Sequence, residues 1–109
     1  MPPLTDAEFG AAEARGKARL ETEPRATSAR YDRTTGRVTV ELTNGCTFAF
    51  PARLAQGLEN ATDDELAAVE ILGLGYGLHW EALDADLSVP GLLAGQFGTK
   101  AYMARLITR

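Results

Sequence analysis

Between Ala26 and Phe50 the apolar residues recur at every second position, in three runs separated by turn-forming residues. Thr27, Ala29 and Tyr31 form the first set, Val38, Val40 and Leu42 the second, and Cys46, Phe48 and Phe50 the third. Successive side chains of a strand point to opposite faces, so each run presents one apolar face, and the three together predict an antiparallel meander. Arg33, Thr34, Thr35 and Gly36 make the first turn; with Asp32 opposite Arg37, Tyr31 falls opposite Val38 and Ala29 opposite Val40. At the second turn Asn44-Gly45 favours a two-residue loop. That register sets Val40 opposite Ala49 and Glu41 opposite Phe48, which puts the apolar sets on opposite faces. A three-residue loop, Thr43-Asn44-Gly45 with Gly45 left-handed, instead aligns Leu42 with Cys46, Val40 with Phe48 and Val38 with Phe50. The bulged turn is therefore expected, with Cys46 directed into the core as a small buried hydrophobe.

Short helices are expected around this sheet. Thr5 and Glu8 have capping-box spacing, Leu4 and Phe9 stand at staple positions, and Pro24 ends the run, giving a helix from about Thr5 to Glu23. Its stripe of Phe9, Ala12, Gly16 and Leu20 is thin, so the helix needs a surface to lean on: its own sheet, a second copy or another protein. Pro51 to Leu58 reads as a short helix with proline at its first position. Thr62 and Glu65 repeat the capping-box spacing, and Ala68 to Leu72 reads as a strand. Gly73, Gly75 and Gly77 punctuate a tight connection, after which Leu78, Trp80 and Leu83 mark a further extended segment. A short helix from about Pro90 and a closing helix from about Thr99, with Tyr102, Met103, Leu106 and Ile107 on one stripe, complete the chain. The expected fold class is α+β: a small antiparallel meander sheet with short flanking helices and an added N-terminal helix. The 109 residues divide into a helical extension over 1–25 and a single α+β domain over 26–109.

Charge is unevenly spread along this frame. Glu59, Asp63, Asp64, Glu65, Glu70, Glu81, Asp84 and Asp86 follow one another without an intervening Lys or Arg. Such a stretch repels a phosphate backbone, and it reads either as a surface that steers toward a basic protein or as a solvated face that keeps a small protein soluble. The basic residues Arg15, Lys17, Arg19, Arg30, Arg33 and Arg37 are interspersed with acids, which argues against a nucleic-acid footprint. The densest polar cluster, His79 to Asp86, could in principle supply a His and two aspartates to a divalent ion. On a continuous extended chain, however, Leu83, Ala85 and Leu87 face one way and Asp84 and Asp86 the other, so the set does not converge. A lone His without a recognisable nucleophile or base partner supports no definite mechanism. Gly73-x-Gly75-x-Gly77 matches neither the dinucleotide fingerprint nor the P-loop, and is read as a tight turn. One Cys and one His allow neither an intramolecular disulfide nor a zinc site of Cys and His ligands. No apolar run approaches the roughly 20 residues that span a bilayer. The opening Met1 to Asp6 carries no basic-then-apolar leader, so a cytoplasmic protein without membrane contact is expected.

Three segments carry a resemblance: Ala29-Arg30-Tyr31-Asp32-Arg33-Thr34-Thr35-Gly36-Arg37-Val38; Leu42-Thr43-Asn44-Gly45-Cys46-Thr47-Phe48-Ala49-Phe50-Pro51; and Gly77-Leu78-His79-Trp80 followed by Leu83-Asp84-Ala85-Asp86-Leu87-Ser88-Val89. Together they resemble the bacterial family known as domain of unknown function 2442, over about Ala26 to Met103. The resemblance implies a small α+β fold, no established catalytic residues, and an antitoxin-like role beside a partner protein. Some relatives add a basic tail or a helix-turn-helix domain; here Phe97-Gly98-Thr99-Lys100 and Met103 lead only to Arg109, so autonomous DNA binding is not expected. The functional expectation is a noncatalytic protein-binding module, antitoxin-like or regulatory, with no catalytic residue, cofactor or metal. Its contact residues would be Glu59, Asp63, Asp64, Glu65, Glu81, Asp84 and Asp86, its partner a protein with a basic surface, and the Thr5 to Glu23 helix a means of self-association. The alternatives are a DNA-binding transcriptional regulator and a metal-dependent enzyme built on His79, Glu81, Asp84 and Asp86.

Overall fold

The structure, a computed structural model, describes residues 23–107; the expected helix from Thr5 lies outside the described residues except for Glu23. The first sheet is the expected meander of β1 (Ala26–Asp32), β2 (Arg37–Leu42) and β3 (Thr47–Pro51), in that order. Tyr31 stands opposite Val38, Ala29 opposite Val40, Val40 opposite Phe48 and Val38 opposite Phe50. The bulged second turn is present: Leu42 N–H donates to the Cys46 carbonyl at 2.9 Å, and Gly45 takes φ +87°.

Two details of this sheet depart from the period-two reading. A bulge in β1 pairs Ala26 with Leu42 and Ser28 with Glu41, so Thr27 becomes the extra residue. Ala26 is buried in its place, while Thr27 is exposed and its hydroxyl donates to the Glu41 carbonyl. Cys46 is exposed, not buried. Burial rises along the edge strand from exposed Cys46 through half-buried Phe48 to fully buried Phe50, while Leu42 on the central strand opposite Cys46 stays buried, so it is the outer strand alone that leaves the core at this end.

The expected helix from Pro51 to Leu58 shrinks to a three-residue 3-10 turn, Ala52–Leu54. Pro51 still pairs with Arg37 in the sheet, Ala55 returns to extended backbone, and Gly57 at φ +91° excludes continued helix. Thr62 then caps α1 (Asp63–Ala67) with both halves of the capping box made.

A second three-stranded sheet follows, formed by β4 (Glu70–Leu72), β5 (Gly77–Trp80) and β6 (Ala85–Ser88). The sequence pattern predicts one extended segment continuing past Trp80; the chain instead reverses through a 3-10 turn, Glu81–Leu83, with Asp84 left-handed at φ 47°. Aspartate tolerates that conformation better than most residues. Short helices α2 (Val89–Leu93), capped by Ser88, and α3 (Lys100–Ile107) close the fold. Val38, Val40 and Phe50 from the first sheet, Leu78, Trp80 and Leu87 from the second, and Leu58, Leu66 and Leu92 from the connections form one buried cluster. The architecture is α+β, built from two small antiparallel meanders. Among the described residues no helix is long and apolar enough to cross a membrane.

Candidate functional site

The fold gives several of the acids partners that the linear sequence does not show. The first hairpin turn carries Arg33 to Asp64, and the 3-10 turn after β3 carries Arg53 to Asp63, at 2.7 and 3.2 Å. The Tyr31 hydroxyl also donates to Asp63 at 2.8 Å. That bond first, and the Arg53 guanidinium second, hold the Asp63 carboxyl below its ordinary range. Glu65 is occupied as the returning half of the capping box, its carboxylate accepting from Thr62 N–H at 2.9 Å. Glu59 accepts from Gly57 N–H and helps shape that turn. These four acids therefore divide their charge between solvent and the fold, and Arg33 and Arg53, which the sequence reading did not connect to them, dilute the anionic stretch at α1.

The other three belong to the second sheet. His79 and Asp86 face each other across β5 and β6 as a pair without mutual backbone hydrogen bonds, the arrangement that brings side chains closest. His79 Nδ1 lies 2.6 Å from Asp86 Oδ1, and its Nε2 lies 2.6 Å from Glu81 Oε2. The bond to Glu81, then that to Asp86, raises the His79 pKa to about 9. At neutral pH the ring is therefore a cation donating from both nitrogens, with Glu70 on the same sheet face at the neighbouring position of β4. So His79, Glu81 and Asp86 do converge, contrary to the straight-strand reading, while Asp84 stands in the turn and remains exposed. What converges is an ion-paired clamp closing a hairpin: both imidazole nitrogens are engaged. Among the described residues no group of three or more His, Cys, Asp and Glu side chains is arranged to hold a metal ion.

The clamp makes stability pH-dependent in a definite direction. A histidine whose folded pKa exceeds its unfolded value near 6.5 stabilises fully below that value and loses the contribution as pH rises through about 9. The denaturation midpoint of the protein is expected to fall across this window, and His79→Gln to flatten the fall. A pH profile unchanged by the substitution would rule out the clamp.

Beyond the clamp, a cleft of about 470 Å³ runs along β6, with Asp84 through Ser88 on one wall and Gln56, Gly57, Gln96, Gly98 and Thr99 opposite. Its lining contains two carboxylates and no Lys or Arg. The sequence reading missed this cleft, because its far wall comes from segments distant along the chain.

Fold and site together define a small two-meander α+β protein whose one imidazole serves a hairpin and whose exposed carboxylates border a cleft. The chain belongs to the family described as "Protein of unknown function (DUF2442)", whose model matches residues 26–98. A crystal structure of a protein of unknown function from Rhodospirillum rubrum ATCC 11170 is 74% identical, covers 75% of this chain and 99% of its own, and superposes with a TM-score of 0.73. A solution NMR structure of an uncharacterized protein from Chromobacterium violaceum is 27% identical, with a TM-score of 0.71 over 96% of this chain and 95% of its own. No curated protein matches the chain.

Proposed function

We propose that this protein is a noncatalytic protein-binding module, the antitoxin-like or regulatory member of a two-protein system, which engages a basic partner in the cytoplasm through its acidic surface. The observation that carries this reading is the distribution of free and committed charge in the second half of the fold. His79 is saturated by Glu81 and Asp86, so it holds structure and has no free nitrogen to act as a base. Asp84 is exposed and enters no ion pair among the described residues, which leaves its charge to face a partner. Arg30, Arg33 and Arg53 are each paired with an acid of the chain, which supports a protein partner over a phosphate backbone.

With the full chain as bait, a basic bacterial protein is expected to be retained at about 0.05 M salt and released at about 0.5 M, as screening shortens the range of exposed charges. That protein, identified and purified, is expected to bind Asp84→Asn/Glu59→Gln about fivefold more weakly, and Arg37→Gln unchanged, in line with exposed charge pairs of up to about 1 kcal/mol. Retention of nothing at low salt, or binding indifferent to both carboxylates, would overturn the proposal.

A further inference from the structure

We propose, resting on the protein-binding reading above, that the cleft along β6 receives an extended basic segment of the partner, which adds as a fourth strand to the second sheet and seats a Lys or Arg beside Asp84. The phase of the hydrogen-bond ladder fixes what the cleft offers. Val89 N–H donates to the Tyr76 carbonyl at 2.8 Å. Because antiparallel bonds recur at alternate residues, the next bonded pairs are Leu87 with Leu78 and Ala85 with Trp80. Asp86 therefore turns its N–H and C=O, and Ser88 its N–H, away from β5 toward the open edge.

β6 is the terminal strand of its sheet, and five consecutive residues, Asp84 to Ser88, line the cleft. A face would show alternate residues; an unbroken run shows that the cleft follows the backbone edge. An added strand lies about 4.8 Å from its neighbour, and a volume of about 470 Å³ falls within the roughly 300–1,000 Å³ of ligand-binding clefts. An edge of this kind is a template for strand addition, with backbone bonds giving affinity and side chains giving specificity.

Charge selects the occupant. A second copy pairing edge to edge would bring Asp84 and Asp86 of both copies together, and like charges opposed across strands repel. Asp84 has no ion-pair partner among the described residues and Asp86 shares its charge with one imidazole, so the edge favours a strand carrying Lys or Arg at alternate positions.

The test uses the immobilised full chain and a displayed random-peptide library. The expected result is enrichment of peptides with alternating Lys or Arg, and slowing of Asp86 and Ser88 amide exchange by about tenfold or more when a selected peptide binds. N-methylation of a peptide amide facing β6 should weaken binding about tenfold, the loss of one buried hydrogen bond, while methylation of the alternate amides leaves it nearly unchanged. Asp84→Asn, which keeps a residue tolerant of the left-handed turn, should weaken binding about fivefold. Enriched peptides that bind regardless of methylation and leave Asp86 and Ser88 unprotected would overturn edge docking while leaving the protein-binding reading standing. Enrichment of acidic peptides, or of none although a protein partner is captured, would overturn it likewise. Failure of both the library and the partner capture would overturn both proposals.

Discussion

Trp80→Ala is expected to cost about 4 kcal/mol of unfolding free energy, enough to consume much of the stability of a domain this size. Trp80 is fully buried and belongs to the cluster shared by both sheets, so truncation leaves a cavity between them. It also removes a hydrogen bond: the indole N–H donates to the Leu66 carbonyl at 3.1 Å, tying β5 to α1. Trp80→Phe separates the two effects, since it keeps most of the apolar bulk but strands the Leu66 carbonyl, at a cost of about 1–3 kcal/mol. Urea denaturation followed by far-ultraviolet circular dichroism reads both variants. A loss below about 1 kcal/mol for Trp80→Ala would contradict the packing described here.

Gly75→Ala is expected to cost about 3 kcal/mol or more. Gly75 is buried at φ +97°, a conformation that L side chains rarely adopt. A Cβ there would stand 2.4 Å from the Ala26 carbonyl oxygen and 2.9 Å from its nitrogen. Backbone, unlike a flexible side-chain end, cannot move aside, so the turn between β4 and β5 would be pushed off the start of β1. Gly73→Ala supplies the comparison: Gly73 is also left-handed, at φ +55°, but nothing lies within 4 Å of its Cβ position. It should show only the backbone cost of about 1–2 kcal/mol. Equal losses for the two variants in urea denaturation would mean that the close approach between the second sheet and Ala26 is absent.

Legibility in the sequence followed the range of the interactions. The pairing register of the first meander could be read because its turns are short and only one register keeps both apolar sets on one face. Its bulge at Thr27 escaped, since an extra residue at a strand end is invisible to a two-residue period. The second hairpin escaped for a different reason. Leu78 and Trp80 fall at even positions and Leu83, Ala85 and Leu87 at odd ones, and with no glycine or proline between them the reversal at Asp84 shows only as a one-residue shift of phase. That one missed turn hid the pairing of His79 with Asp86 and made the carboxylates look dispersed. Arg33 lies 31 residues from Asp64 and Arg53 lies 10 from Asp63, so these pairings are set by the tertiary fold. Exposure of Cys46 likewise depends on where the core ends.

Every strand in both sheets pairs with a neighbour along the chain, in the order β1-β2-β3 and β4-β5-β6. Each ladder can thus zip from its own short loop without first bringing distant segments together, and low contact order of this kind accelerates folding. The two halves are expected to assemble on separate local nuclei, with the slow event being their docking through Trp80 and Gly75. Substitutions in that seam should then chiefly hasten unfolding, while those in the hairpin turns should retard refolding.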